Sequence, residues 1–597
     1  PPRRRRPAAP PRRPDGPRCG AGRAGWPTVR CRPSRSPRAG ARNAGRSAGR
    51  PHPRGAAAGA AGAAEGGAPD ASGQQTAPDA SGQQSAPDNA SAPAEPSKDA
   101  KDTKDTKDAK DTKDAQGNEG NQGGQGDNGH FSDLNYPCDE PGFTPYDHLR
   151  KKLPISKDER PSMSLWGILK KNIGKDLTKI SFPVAFNEPT SMLQRMAEDM
   201  EFSECLDAAA LQSDSTRRIA YVAAFAASNY SSTIGRIAKP FNPMLGETFE
   251  YARPDLNYRY ISEQVSHHPP ISACFAESPT WEYMGCVDAK SKFMGRKFEI
   301  RPTGVAHARI KVPEDWVPAA KRNSLPRAPN TDDLVMEHYS WNKVTSCVSG
   351  FLVGSPTIDH YGDMVVTNHV TGDKCVLSFV PAGWRGADAR EIRGKVTDAQ
   401  GNLVWEIAGR WSSQLVARRV GQGPSQLNPD SQVDSNTDPV SSSKSDDSLL
   451  LLWRNSKKFP SPFNLTPYAI TLNSCPDDLR PWLPPTDCRL RPDLHAFENG
   501  KFDEADELKA YLENFQRETR RKREAGELEP HKPRWFESTI DPESNAQFWK
   551  PLQSTSAQNR PEMSYWVERL KVGTAHSNGD TSAKWTGSEP IFGKYSY

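Results

Sequence analysis

The chain has 597 residues, of which 26% are charged, with 79 Lys and Arg against 74 Asp and Glu for a net charge of +5. That length admits several domains, but residues 1–130 show no sustained apolar periodicity and are expected to be a disordered low-complexity tail without a core. Ten cysteines with no Cys-x-x-Cys and no paired Cys/His spacing argue against a structural zinc site and a secreted disulfide scaffold, and no run of about eighteen apolar residues is present to span a membrane.

The modest net charge hides an asymmetry. Residues 1–54 hold sixteen arginines and one acidic residue, so a basic arm precedes a mildly acidic body. Trp26 is the only aromatic side chain in that arm; without interleaved aromatics no nucleic-acid partner is expected. The chain does not begin with methionine, and the arm is given no function. An imperfect octapeptide repeat at Ala68 and Ala77, then alternating Lys-Asp steps over 98–115, read as a solvated tether.

Residues 163–177 place Leu165, Ile168, Leu169, Ile173 and Leu177 at helical spacing, with lysines mostly elsewhere; this predicts an amphipathic helix, and Trp166 lies within it. Residues 215–229 are apolar on most sides and predict a buried helix. Lys239-Pro240-Phe241-Asn242-Pro243 is a rigid turn between two prolines, leading to a strand. From about 257 to 411, short β-rich runs divided by Gly, Pro and Asp predict an antiparallel barrel or sandwich. Within them His267 and His268 precede Pro269 and Pro270, which forbid a helix and favour a bend after a strand. Residues 421–447, rich in Ser, Asp, Gln and Asn, are expected to be a disordered loop, and 573–597 a disordered tail. Residues 504–523 predict a charged helix on which Lys509, Glu513 and Arg517 stand four apart along one face.

The stretch Glu263-Gln264-Val265-Ser266-His267-His268-Pro269-Pro270 matches the signature of the oxysterol-binding-protein family of lipid-transfer proteins. The chain resembles that family over 160–572, including the blocks at 182–189, 193–201, 239–250 and 484–493. The resemblance implies a mainly β fold with flanking helices (α+β). At its centre would be a large, incompletely closed antiparallel barrel around a lipid tunnel. An N-terminal amphipathic lid (160–200) would cover the mouth through Leu165, Trp166, Ile168, Leu169, Ile173 and Leu177. It further implies a phosphatidylinositol 4-phosphate headgroup held by Lys239, Asn242, His267, His268, Lys509, Glu513 and Arg517. The second lipid would be a sterol, or another lipid such as phosphatidylserine. Such a protein needs no cofactor or metal and is not an enzyme; it would be cytosolic and touch membranes peripherally and transiently. No ankyrin or pleckstrin-homology module is found, and no motif identifies an endoplasmic-reticulum receptor. Two other readings remain open: a lipid sensor or scaffold without net transport, and a hydrolase built on Glu263, His267 and His268.

Overall fold

The computed structural model describes residues 137–597 apart from 162–169, 171–181, 330, 332, 351–355, 384–388, 446, 458, 588–590 and 596–597. The tail 1–130 and the lid residues Leu165, Trp166, Ile168, Leu169, Ile173 and Leu177 lie outside the described residues.

Twelve strands follow one another as an antiparallel meander: Thr248–Arg253, Tyr258–His267, Pro270–Glu277, Trp281–Val287, Val305–Pro313, Leu334–Asn342, Thr357–Asn368, Lys374–Phe379, Glu391–Thr397, Leu403–Arg410, Gln414–Arg419 and Leu450–Arg454. Each pairs with the strand before it, while the first and last do not pair, so the sheet is not closed. Three shorter strands, Ala289–Phe293, Lys297–Pro302 and Thr345–Ser349, branch from Thr357–Asn368. Burial alternates with period two along Lys374–Phe379 and Glu391–Thr397, as expected where one face meets a core and the other meets solvent. The turn between Thr357–Asn368 and Lys374–Phe379 is built by the Asn368 carboxamide, which accepts from the backbone N–H of Val370 and Thr371.

The helix Ser215–Ser228 lies against the strands Thr357–Asn368, Lys374–Phe379, Glu391–Thr397, Leu403–Arg410 and Leu450–Arg454. Asp214 starts it by accepting from the N–H of Thr216 and Arg217. Because sheet and neighbouring helices cover it, its apolar positions run all round, from Ile219 through Ala227. The one charge it buries, Arg218, is matched by Glu337 at 2.5 and 2.9 Å. Such a pair is tolerated only with its hydrogen bonds complete.

Four expected boundaries change. The folded body begins before residue 160: Phe143 and Tyr146 are buried, and the Tyr146 hydroxyl donates to the Glu250 carboxylate at 2.8 Å. Gly142 sits at φ +92°, and a Cβ there would stand 2.4 Å from the Trp482 ring, so this entry into the core requires glycine. Of the span 160–200, the part from 182 onward belongs to the core, with Leu193, Ala197 and Met200 fully buried in it.

Residues 421–447 are ordered where disorder was expected. Leu427 packs with Ala408, Val416 and Leu451, and Asp438 caps a short helix, Pro439–Ser443. Arg454 donates to the carbonyls of Val433, Asp434 and Thr437, and Arg217 to those of Ser442, Ser443 and Ser445. Distant arginines thus satisfy this polar segment's backbone, which local composition does not reveal. The tail after 573 is likewise packed: the helix Ser564–Ser577 runs into it, and Trp585 and Phe592 are buried.

Candidate functional site

A cavity of about 1010 Å³ lies within the curled sheet, at the upper end of the range of about 300–1,000 Å³ for ligand pockets. Much of its wall is apolar, including Phe186, Met192, Met196, Val344 and Ile358. The charged groups deeper in that wall satisfy one another. Arg236 binds Glu188 at 2.6 Å and Glu198 at 2.6 Å, and Asp199 takes the Lys343 ammonium at 2.6 Å and the Tyr283 hydroxyl at 2.8 Å.

One end differs. It is lined by Lys239, Asn242, Pro243, Gln264 and Pro270, and exposed Asn242 and His268 mark where it meets solvent. Two turns converge there. The first, after Lys239–Phe241, is clamped from behind: Arg491 donates to the Asn242 carbonyl at 3.1 Å and to Glu247 at 2.8 Å, while Glu247 accepts from the Met244 N–H. The second joins Tyr258–His267 to Pro270–Glu277.

A bulge at Val265 decides which way His267 points. In the pairing, Gln264 stands opposite Ser272 and His267 opposite Pro270, with one extra residue between them on the histidine strand. Gln264, Ser272 and Pro270 all line the cavity. Regular alternation would have put His267 on the opposite face from Gln264; the extra residue brings it to the same face. His268 follows in the turn, its ring 4.9 Å from that of His267 at 81°. The bend required for two adjacent histidines to serve one ligand is therefore present.

The third element is the helix Phe502–Glu524. Lys509 and Glu513 pair at 2.6 Å, and Arg517 reaches Glu513 at 3.2 Å while remaining more than half exposed. Gln516, missed at the level of sequence, joins all three elements. Its amide nitrogen lies 2.7 Å from His267 Nε2, and its oxygen accepts from the Leu245 N–H at 2.8 Å. The signal was its position three residues after Glu513, on the same helical face.

The electrostatics of this end are unbalanced toward positive charge. Lys239 has no ion pair among the described residues, and its ammonium sits 5.8 Å from the Phe182 ring centroid. Burial first, then the Lys509 ammonium, push its pKa below the usual lysine value, against a smaller opposing pull from Glu513. Burial and then the neighbouring His268 drive His267 down to about 4, so the ring is neutral near pH 7 in this state. An anion entering here would relieve the repulsion between cations and reverse both shifts.

Glu263 does not join the histidines. It is fully buried, and its carboxylate accepts from the backbone N–H of Arg534 at 2.7 Å and Trp535 at 2.9 Å. It anchors the start of the strand Phe536–Ile540, so the geometry gives it no role as a base beside His267.

Comparison with known proteins gives one consistent result. The family model described as oxysterol-binding protein matches residues 164–567. Oxysterol-binding protein homolog 2 of Saccharomyces cerevisiae is 44% identical over 426 residues, which is 71% of this chain and 31% of that protein. This chain therefore spans about a third of that relative's length. The crystal structure of the Osh1 ORD domain in complex with cholesterol shares 41% identity at a TM-score of 0.60, covering 72% of this chain and 93% of that one. The Osh3 ORD of Saccharomyces cerevisiae in complex with PI(4)P shares 26% identity at 0.55, covering 74% and 99%.

Proposed function

This chain belongs to the oxysterol-binding protein family, and on that premise we propose that it is a non-enzymatic lipid-exchange protein. It takes phosphatidylinositol 4-phosphate or a sterol into one cavity and carries it between membranes. The observation that carries this reading is Lys239: a mostly buried ammonium without an ion-pair partner among the described residues, at the end of an apolar cavity and repelled by a second ammonium. Every other buried cation named in the cavity wall is matched by a carboxylate. A phosphate monoester carries about −1.5 to −2 charge and supplies what this end lacks.

In this reading Lys239, Lys509, His267, His268 and Arg517 donate to the headgroup. The Asn242 amide and the Glu513 carboxylate address inositol hydroxyls, Glu513 also holding Lys509 and Arg517 in place. The acyl chains, or the sterol body in the alternative state, fill the apolar remainder of the cavity. Of the span 160–200, the part before residue 182, with Leu165, Trp166, Ile168, Leu169, Ile173 and Leu177, is the proposed lid. A sterol needs no phosphate ligand, so the two lipids share the apolar volume and differ at the charged end. The solved relatives in complex with cholesterol and with PI(4)P support both ligands for this fold. No helix among the described residues is long and apolar enough to cross a membrane, and the proposed encounter with bilayers is peripheral.

Lys239→Met tests the assignment. Losing one hydrogen bond to a charged group costs about 1.5–3 kcal/mol, so phosphoinositide extraction from liposomes is expected to weaken by about one to two orders of magnitude. Folding stability, read by thermal melting, should hold or rise, because methionine replaces a desolvated ammonium with an apolar chain of similar length. Unimpaired extraction, or a melting temperature that falls with sterol binding, would make Lys239 a structural residue.

A further inference from the structure

Outside the cavity, two histidines and a carboxylate meet on the other face of the sheet. Ala306 lines the cavity, so His307, one residue along Val305–Pro313, faces away from it. His338 lies on the neighbouring strand, diagonal to His307: the register pairs His307 with Ser340 and His338 with Arg309. Over them folds the hairpin Phe536–Ile540 and Gln547–Pro551, whose connecting turn brings Asp541. The turn is fixed by its backbone and by Asp541 Oδ2, which accepts the Ser544 N–H at 2.7 Å. One ring nitrogen of His307, one of His338 and one Asp541 oxygen all lie within 4.8 Å of one another, and all three residues are buried.

The proton inventory leaves this cluster incomplete. Glu543 meets His338 Nδ1, and a carboxylate can only accept, so that nitrogen carries the proton. His338 Nε2 then holds a lone pair, and His307 Nδ1, 3.0 Å away, donates to it. His307 Nε2 is left as a buried lone pair with no partner among the described residues. The cluster is short of one proton or one cation. The 3.0 Å between the ring nitrogens is near the about 3.3 Å edge of a tetrahedron whose metal–nitrogen bonds are about 2.0 Å. A histidine whose other nitrogen faces a carboxylate is also the usual arrangement behind a metal ligand. His369 stays outside the set, because its Nε2 is engaged by Ser340 Oγ at 2.7 Å.

We propose that His307, His338 and Asp541 bind a divalent cation of the zinc class, which fastens the 536–551 hairpin to the outer face of the sheet with water in the fourth position. On binding, the ring proton of His307 shifts from Nδ1 to Nε2, where no described residue accepts it, and Nδ1 and His338 Nε2 both turn lone pairs to the ion. The site is independent of the lipid reading.

The test uses the full chain, stripped with a chelator and titrated with zinc by calorimetry, then with cobalt by visible absorption. One equivalent of zinc is expected at this site, with a raised melting temperature and a tetrahedral cobalt spectrum. Asp541→Asn and His338→Gln should each weaken binding at least about tenfold, and Glu543→Gln by about 10–100-fold. The chain's cysteines also attract zinc, so the variants decide the matter. Zinc uptake undiminished in a folded Asp541→Asn/His338→Gln double variant overturns the site. So does an unmoved wild-type melting temperature. A cobalt spectrum carrying thiolate charge-transfer bands alone overturns it too, and needs no variant to fold.

Discussion

A His267→Ala/His268→Ala double variant is expected to lose phosphatidylinositol 4-phosphate extraction by about two to four orders of magnitude while keeping sterol. Two hydrogen bonds to a charged phosphate contribute about 1.5–3 kcal/mol each. A sterol makes no such bonds, so its retention should change by less than tenfold. The pH dependence has a definite sign. The free His267 ring titrates at about 4, because burial and His268 disfavour its charge. A bound phosphate favours the protonated ring and raises that pKa, so binding takes up a proton and strengthens as pH falls from about 8 toward the phosphate pKa of about 6. The double variant should lack this slope. Equal loss of both lipids from a folded variant would contradict the assignment, since removing His267 also removes the Gln516 contact.

The second large effect is on stability. Glu250 is fully buried and accepts from Tyr146 at 2.8 Å, Tyr565 at 2.6 Å and Arg569 at 2.7 Å. It therefore ties the segment before residue 160 and the helix Ser564–Ser577 to the first strand of the meander. Glu250→Ala leaves the Arg569 guanidinium buried without its carboxylate, at a cost of about 3–5 kcal/mol. Chemical denaturation of the variant checks this figure. Replacing both partners, as in Glu250→Leu/Arg569→Met, should be less damaging than Glu250→Ala alone, because no uncompensated charge remains. A Glu250→Ala loss below about 1 kcal/mol would show that the segment at 142–146 is an accessory to the fold.

What could be read from the sequence follows from how local each determinant is. The prolines at 269 and 270 announced a bend at the histidines, because backbone restriction belongs to the residue itself. The Lys509, Glu513 and Arg517 ladder was equally plain from helical spacing. The bulge at Val265 was not, although it decides which face His267 occupies; a bulge is a property of a strand pair. Residues 421–447 read as disordered because their composition is polar. Their order comes from Arg217, Arg410 and Arg454, which lie elsewhere in the sequence. The start of the folded body was placed too late for a similar reason: Tyr146 has meaning only beside Glu250, about a hundred residues onward.

In the proposed exchange one cavity serves both lipids in turn. The most direct measurement loads the full chain with a fluorescent sterol and adds liposomes containing phosphatidylinositol 4-phosphate, following sterol release and phosphoinositide uptake together. One-for-one displacement is expected, with His267→Ala/His268→Ala holding its sterol against the same liposomes. Phosphoinositide bound while the sterol stays in place would contradict it.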